Sequence, residues 1–443
     1  MITTQLTIQK VGINGEGIGY YNKKPVFVMK AALGDVITAN ITLAASKTYF
    51  QGELVSIVQA SPHRVQPICE HYDTCGGCAL MHVKHKSADM TKVDLIRQAL
   101  NKYAQIDPPI TFQSNPNPFE YRNQCKFVLG ENPKGINSGL FAVNSNAFVP
   151  ITTCHVHEKN VEMTRVSVVE LLQKHNAPIY TRATPQGFRN LVIRSIDGQT
   201  MVSLVSDRAI DLPALYDEIA ALPTVISVYA SYNPDRKSLA IFGDQTVHLR
   251  KQKHLNFTMH GLTLSLSPSS FFQLNTTVAK NMYAYVSTLI PKDYTVVEAF
   301  CGIGVMGCMI GSKVNKVIGY DIDRSSIKDA NENAKRNGLT HVQFHAKDAH
   351  EGVRSVAKLT TKFTLLVDPP RTGLSSTFIQ TIIQSKIKHV IYVSCNPSTL
   401  GKDLAELKGD YYIESVKGFD MFSQTPLVET VVDRKSTRLN SSH

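Results

Sequence analysis

The chain has 443 residues, of which 43% are hydrophobic, and this length corresponds to about two to four globular domains. It contains no run of about 18 apolar residues and starts without the apolar core of a secretory signal, so we expect a cytoplasmic protein with no membrane association. The formal net charge of +11 favours polyanionic partners such as nucleic acids.

Residues 1–60 show the alternation of apolar and polar residues that is typical of short β-strands. The alternation is clearest over residues 6–11, 26–28 and 36–41, and glycine-containing turns separate these stretches. This pattern predicts a small five-stranded β-barrel of the OB type, which is a fold that often binds nucleic acid. The alternative is a β-domain that only packs against the rest of the chain.

Residues 61–262 predict a central domain of mixed α and β structure. Residues 61–80 are loop-like and contain three cysteines, and residues 87–103 have the apolar spacing of a helix. A second helix is predicted at 160–175. Strands are predicted at residues 124–129, 191–196, 202–205 and 226–231.

Residues 263–432 predict an α/β domain, because strands and helices alternate from about residue 290. The five predicted strands cover residues 295–298, 316–320, 342–345, 363–367 and 389–393. This alternation is typical of a parallel, doubly wound, Rossmann-like sheet, whose ligands bind at the carboxyl ends of the strands. Four polar residues follow these strands: Asp321, Asp348, Asp368 and Cys395.

Residues 433–443 are polar, lack periodicity and resemble translated adapter sequence. We therefore expect a non-native tail here, and the last native strand is expected to end close to it.

A nucleotide site is predicted where Phe300-Cys-Gly-Ile-Gly304 joins a strand to a helix. Glycines such as Gly302 allow a ligand close to the backbone, and Asp321, about twenty residues further on, is suited to binding ribose hydroxyls. The sequence lacks a Gly-x-Gly-x-x-Gly motif and a Walker lysine, which favours S-adenosylmethionine over NAD or ATP. The alternative is an ordinary sheet turn with a surface aspartate.

A rigid loop is predicted at Asp368-Pro-Pro-Arg371, since two prolines restrict the backbone after the fourth strand. Asp368 then either faces the cofactor or caps a helix.

Cys395 is a candidate nucleophile, because a cysteine between a strand and a helix start can have a depressed pKa. The alternative is a buried structural cysteine, which is the usual environment of this residue type.

Four cysteines form a candidate metal site: Cys69, Cys75, Cys78 and Cys154. Four thiolates suit zinc or an iron–sulfur cluster, and the spacing departs from that of a zinc ribbon. Cysteines without a metal are the remaining alternative.

Together these motifs resemble the uracil-5 RNA methyltransferases that carry an iron–sulfur cluster, over almost the whole chain to about residue 432. The resemblance implies that residues 1–60 are an RNA-binding TRAM domain and that the four cysteines hold a 4Fe–4S cluster. It also implies that part of the segment 87–118 packs with the methyltransferase domain. The residues that it assigns to the S-adenosylmethionine site are Gln273, Phe300, Asp321 and Asp368, with Asp348 nearby.

The resemblance further implies that Cys395 is the nucleophile and Glu429 the general base in methylation of a uridine at carbon 5, with 23S ribosomal RNA as the expected substrate and no protein partner. Transfer RNA is the alternative substrate. The sequence departs from the family at Leu427, where a histidine is usual, at Val305, where an asparagine is common, and at Asp321, where glutamate is more frequent. Leu427 leaves open a catalytically inactive RNA-binding protein. An amino-methyltransferase is disfavoured by Arg371 and Cys395.

Overall fold

The computed structural model describes residues 1–133, 135–143, 145–181, 184–235, 240–292, 294–360 and 362–437. The chain forms two compact units. Unit 1 contains residues 1–118, 369–379 and the chain from 392 onward, and unit 2 contains residues 119–368 and 380–391. Within the described ranges, no helix is long and apolar enough to cross a membrane.

The N-terminal part of unit 1 is a six-stranded sheet in the order β1-β5-β6-β4-β3-β2. The predicted strand over residues 6–11 is divided, because the N–H of Ile8 donates to the carbonyl of Asp35 and the N–H of Gln9 donates to that of Ile18, both at 2.9 Å. These bonds join the chain between β1 and β2 to both sides of the sheet, so the sheet curves around its apolar core. The strands are β1 (Ile2–Thr7), β2 (Lys10–Val11), β3 (Gly17–Tyr21), β4 (Lys24–Val28), β5 (Val36–Leu43) and β6 (Phe50–Gln59).

Residues 61–84 form turns, and helix α1 (His85–Ala99) follows and continues as a single π-helical turn over Leu100–Ala104. The predicted helix over residues 87–103 is thus present. Strand β7 (Ile110–Gln113) comes next. It pairs in parallel with a C-terminal strand of the same unit, β22 (Tyr411–Phe419).

A seven-stranded sheet forms the first part of unit 2, in the order β10-β9-β8-β11-β12-β13-β14. All four predicted strands and the predicted helix are present. Helices α2 and α3 pack against one face, where they bury an apolar core. The elements are β8 (Gln124–Asn132), β9 (Gly135–Phe141), β10 (Phe148–Pro150), α2 (Lys159–Lys174), β11 (Phe188–Ile196), β12 (Gln199–Ser206), α3 (Pro213–Ala221), β13 (Val225–Tyr232) and β14 (Gln245–Lys251).

The second part of unit 2 contains four parallel strands in the order β19-β18-β17-β20, with helices between them along the chain. This arrangement confirms the Rossmann-like prediction. The hairpin β15–β16 precedes it and crosses the domain boundary predicted at residue 262. The elements are β15 (Leu255–Met259), β16 (Leu262–Leu266), α4 (Thr276–Leu289), β17 (Thr295–Ala299), α5 (Val305–Gly311), β18 (Lys316–Asp321), α6 (Arg324–Arg336), β19 (Val342–Ala346), α7 (Ala349–Ala357) and β20 (Phe363–Val367).

The remaining elements are α8 (Ser376–Gln384), β21 (His389–Ser394), α9 (Pro397–Leu407), β22 (Tyr411–Phe419) and β23 (Glu429–Ser436). Strand β23 runs antiparallel to β22 and continues to Ser436, so the first residues of the polar stretch 433–443 belong to the fold. Residues 438–443 lie outside the described residues.

Arg434 ties β23 to the end of α9. Its side chain is 2% exposed and donates hydrogen bonds to the carbonyls of Leu404, Leu407 and Tyr411, at 3.2, 3.4 and 2.7 Å. Two of these carbonyls lie in the last turn of α9, where no further helical N–H is available.

We predict that Arg434→Met lowers the free energy of unfolding by about 2–4 kcal/mol, because it leaves three carbonyls without their donor. Urea denaturation followed by circular dichroism measures this change. Lys435→Met is the matched control, since Lys435 is more exposed and makes only a 3.5 Å ion pair with Glu414; we expect a change within about 0.5 kcal/mol. Equal effects of the two substitutions would contradict the structural role of Arg434.

Candidate active site

The glycine loop Phe300–Gly304 lies between β17 and α5 and requires an unusual backbone. Phe300, Gly302 and Gly304 have positive φ angles of 63°, 51° and 73°. A Cβ atom on Gly304 would lie 2.5 Å from the ring of Phe344, whereas one on Gly302 would meet nothing within 4 Å. Gly304 is therefore required for packing, and the open space beside Gly302 leaves room for a ligand.

Asp321 at the end of β18 is held against this loop. Its Oδ2 accepts the N–H of Gly302 and its Oδ1 accepts the N–H of Asp323, both at 2.9 Å. The two bonds fix the carboxylate, and each oxygen retains a lone pair for a further donor such as a hydroxyl group. This geometry fits the predicted ribose contact.

A small recess of unit 2, about 40 Å³, brings Phe300, Gly302 and Asp368 together with Glu298. Glu298 is 1% exposed, and among the described residues no side chain donates a hydrogen bond to its carboxylate; the backbone N–H of Gly307 is the group beside it that lowers its pKa. Burial and the negative charge of Asp368 raise the pKa of Glu298 to about 8, and burial raises the pKa of Asp368 to about 7. Two carboxyl groups that are costly to ionise together indicate a site for a positively charged ligand.

Sequence reasoning missed Glu298 as a site residue. The available signal was its position, since it is the single charged residue in the buried strand Thr295–Ala299 and comes two residues before the glycine loop.

Gln273 and Asp348, like Asp321, do not line the recess. Gln273 is 3% exposed; its backbone carbonyl accepts from Nδ2 of Asn123 at 2.9 Å, and its side-chain Oε1 has no partner among the described residues. An unsatisfied buried oxygen is costly and fits a ligand donor. Asp348 caps α7 by accepting the N–H of Glu351 at 3.0 Å.

Unit 1 contains a second cavity, of about 410 Å³, beside Cys395. Cys395 is half-buried and lies between the end of β21 and the start of α9. The cavity walls come from the N-terminal sheet region, the cysteine segment, the Asp-Pro-Pro-Arg loop and the turn before β23. Its lining residues include Ile13, Asn14, Gly76, Gly77, Arg371, Cys395, Asn396, Thr425 and Leu427.

Asn396 joins the start of α9 to the backbone at Arg371. Its Oδ1 accepts the N–H of Ser398 and so caps α9, while its Nδ2 donates to the carbonyl of Arg371 at 3.0 Å. The hydroxyl of Thr399 donates to the same carbonyl at 3.3 Å. The sequence motif around Cys395 therefore also positions Arg371 at this cavity.

Three cysteines are neither candidate metal ligands nor lining residues of the Cys395 cavity: Cys125, Cys301 and Cys308. All three are buried, and burial raises the pKa of each thiol, to about 12 for Cys125 and Cys308. Thiols with such pKa values are poor nucleophiles near neutral pH.

Glu429 is the first residue of β23, where it pairs with Phe419 of β22, and it is 2% exposed. Glu429 is not among the residues that line the Cys395 cavity, whereas Leu427, two residues earlier, is. The structure thus places the predicted base in a buried strand of the same unit.

The turn between β22 and β23 is held by a buried ion pair. Nζ of Lys92 in α1 donates to Oδ1 of Asp420 and, at 3.0 Å, to the carbonyl of Phe422. Oδ2 of Asp420 accepts the hydroxyl of Ser423 at 2.6 Å. Both Lys92 and Asp420 are 1% exposed, so this network fixes the turn that lines the cavity.

The candidate metal ligands Cys69, Cys75 and Cys78 are half-buried in the turns of unit 1. Burial raises the pKa of the Cys75 thiol, and the N–H of Gly77, which donates to its Sγ at 3.3 Å, opposes that shift. Cys154 belongs to unit 2, where its N–H donates to Glu162 at 3.2 Å.

Comparison with known proteins places the chain in a family. Residues 248–435 match the family described as tRNA (Uracil-5-)-methyltransferase. An uncharacterized RNA methyltransferase from Listeria innocua is 35% identical over 442 residues, with 96% of each chain covered. One from Bacillus cereus is 34% identical over 447 residues, with 97% of this chain and 96% of the relative covered.

The crystal structure of Pyrococcus abyssi tRNA (uracil-54, C5)-methyltransferase in complex with S-adenosyl-L-homocysteine has the same fold, with a TM-score of 0.78 and 24% identity over 97% of this chain and 100% of that chain. The family match and the full-length relatives agree with the loop, carboxylate and fold geometry described above. The chain therefore belongs to the uracil-5 RNA methyltransferase family and is an S-adenosylmethionine-dependent RNA methyltransferase.

Proposed function

We propose that this protein methylates carbon 5 of a uridine in 23S ribosomal RNA through a covalent adduct between Cys395 and the uracil ring. The observation that carries the proposal is the environment of Cys395. Among the cysteines outside the candidate metal site, it is the half-buried one, and it lines a cavity large enough for a base.

The chemistry follows from the poor nucleophilicity of carbon 5 in uracil. The thiolate of Cys395 attacks carbon 6, and the electron pair of the ring double bond moves to make carbon 5 nucleophilic. Carbon 5 takes the electrophilic methyl group that S-adenosylmethionine would supply, and S-adenosylhomocysteine would be the leaving group. Glu429 then removes the proton from carbon 5, the ring double bond re-forms and the thiolate of Cys395 leaves.

The cofactor is assigned to the glycine loop of unit 2. Asp321 is suited to the ribose hydroxyls, and Phe300 and Gly302 provide a surface beside the open space of the loop. Glu298 and Asp368 are suited to the positive charges of S-adenosylmethionine. The unsatisfied Oε1 of Gln273 supports its assignment to the same ligand.

Ribosomal RNA is proposed as the substrate because a TRAM-like barrel and an iron–sulfur site occur together in the family that the sequence resembles. A transfer RNA substrate is the second candidate, favoured by the name of the matching family and by the similar fold of the Pyrococcus abyssi tRNA enzyme. In either RNA, the target base must leave its stack at a cost of a few kcal/mol, which contacts elsewhere on the protein offset.

We further propose that Cys69, Cys75, Cys78 and Cys154 hold a 4Fe–4S cluster with a structural or RNA-positioning role. Four thiols match the ligand number of such a cluster, which leaves no iron open for chemistry. Gly76 and Gly77, between two of the ligands, line the Cys395 cavity, so ordering of this segment by a cluster would shape the cavity wall.

The affinity for S-adenosylmethionine should rise with pH between about 6 and 9. The folded-state pKa values of Asp368 and Glu298, about 7 and about 8, lie above the usual range, so both carboxyls must lose a proton before they attract a cation. Below its pKa, each such group lowers the affinity for S-adenosylmethionine by up to about tenfold for each pH unit. Isothermal titration across this range, with Glu298→Gln for comparison, measures the effect.

S-adenosylhomocysteine is the matched ligand because it lacks the sulfonium charge and retains the ammonium group. A pH dependence for S-adenosylmethionine alone would assign the carboxyls to the sulfonium, and one for both ligands would assign them to the ammonium. Affinities that are independent of pH for both ligands would contradict the assignment.

The reaction is tested by incubating the protein with S-adenosylmethionine and unmodified 23S ribosomal RNA or transfer RNA, followed by mass spectrometry of the nucleosides. We expect the wild type to form 5-methyluridine and Cys395→Ala to lose at least about a thousandfold in rate. Cys125→Ala, a substitution in the core of unit 2, is the control and should retain activity. Glu429→Gln should accumulate a covalent protein–RNA adduct on denaturing gels, because the base that releases Cys395 is lost.

The more rapidly methylated RNA identifies the substrate. Product formation by Cys395→Ala would refute the covalent mechanism. Absence of product from both RNAs, with S-adenosylmethionine bound, would favour an inactive RNA-binding protein.

We expect Cys78→Ser to contain less iron and sulfide than the wild type and to bind substrate RNA more weakly, while its affinity for S-adenosylmethionine is unchanged. Iron and sulfide analysis, RNA titration and calorimetry measure these three properties. Cys125→Ser is the matched control and should retain its iron, since Cys125 is not one of the four candidate ligands. A Cys78→Ser protein that lacks iron but binds RNA normally would refute a role in positioning RNA.

A further inference from the structure

The seven-stranded sheet of unit 2 has a large cavity on the face opposite helices α2 and α3. Its volume is about 690 Å³, and Val128 and Gly130 of β8 contribute to its lining. Strand alternation explains the two faces, because Cys125 and Phe127 of the same strand belong to the apolar core and do not line the cavity. This cavity, which we call the central-sheet pocket, shares no lining residue with the recess at the glycine loop.

Aromatic side chains form part of the pocket wall. Two glycines make room for Phe148, since a Cβ atom on Gly130 or Gly139 would lie 2.9 or 2.8 Å from its ring. Phe141 pairs with Phe148 across strands β9 and β10 and is 45% exposed. Tyr180 also lines the pocket. Exposed aromatic rings in a cavity of this size offer faces for stacking of planar groups.

Positive charge accompanies these rings. The guanidinium of Arg189 lies 5.8 Å from the centre of the Tyr180 ring, and its buried Nε has no hydrogen-bond partner among the described residues. Lys126 is exposed at the same pocket, and Glu131 is the one acidic residue in its described lining.

We propose that the central-sheet pocket binds an unpaired nucleotide of the substrate RNA away from the base that is methylated. The base stacks on Phe141, Phe148 or Tyr180, and Lys126 and Arg189 bind the adjoining phosphates. Base stacking with basic residues beside it is the common mode of single-strand recognition, because a base in a duplex has no free face. The inference rests on RNA being the substrate, and it adds a specificity site to the proposed function.

The test measures RNA binding by fluorescence anisotropy, with a labelled oligouridylate and an RNA duplex of equal length as probes. The variants are Phe141→Ala, Arg189→Gln and Lys126→Gln, each first checked for unchanged thermal unfolding. Tyr294→Ala and Lys316→Gln are matched controls, because both residues are exposed in the same unit and lie outside the pocket. A single strand containing 4-thiouridine provides a photocrosslink, whose position is mapped by mass spectrometry.

We expect about tenfold weaker single-strand binding for Phe141→Ala and Arg189→Gln, unchanged binding for the controls, and crosslinks to the pocket residues. KM for methylatable RNA should rise with kcat unchanged. Unchanged single-strand affinity in the variants, or equal losses for single strand and duplex, would overturn the inference. Loss of single-strand affinity in a protein that makes no 5-methyluridine would support the pocket and refute the methylation proposal separately.

Discussion

The Cys395 cavity depends on the buried ion pair between Lys92 and Asp420. Two charges that are 1% exposed are costly to desolvate, and the removal of one partner from such a pair costs about 3–5 kcal/mol. The pair fixes the turn after β22, and the carbonyl of Gln424 in that turn accepts the N–H groups of Ala79 and Leu80 at 3.0 and 2.9 Å. One interaction thus holds both the cavity wall and the segment that follows the candidate cluster ligands.

The candidate cofactor site of unit 2 follows a different principle, because no basic residue is among the described residues that line its recess. Glu298 and Asp368 both have raised pKa values in a buried recess. Such carboxyls destabilise the protein when ionised, and a cationic ligand removes that cost. In unit 1, a buried lysine thus fixes the cavity. In unit 2, the two carboxyls of the recess would provide the binding energy for a cationic ligand.

The sequence predicted the regular elements well because their patterns are local. The strands at 295–299, 316–321 and 363–367 are short apolar runs followed by polar residues, and all three are present. The ion pair joins Lys92 to Asp420, which is 328 positions away, and no local sequence pattern can predict a contact over that separation. Sequence analysis missed two other features for the same reason. The interruption between β1 and β2 and the burial of Arg434 both depend on hydrogen bonds to carbonyls that are distant in sequence. The polar composition of the C-terminal residues also gave no sign that Arg434 is buried.

The departure at Leu427 has a local consequence, because other contacts fix the position of Glu429. Glu429 pairs with the fully buried Phe419, the last residue of β22. Asp420, which follows it, is fixed by Lys92 and by its own N–H, which donates to the carbonyl of Gln113 at 3.0 Å. The backbone at Glu429 is thus set by strand register rather than by residue 427. Leu427 instead makes the wall of the Cys395 cavity more apolar. An apolar wall strengthens electrostatic interactions inside the cavity, so Leu427 alters the environment of Cys395 more than the placement of Glu429.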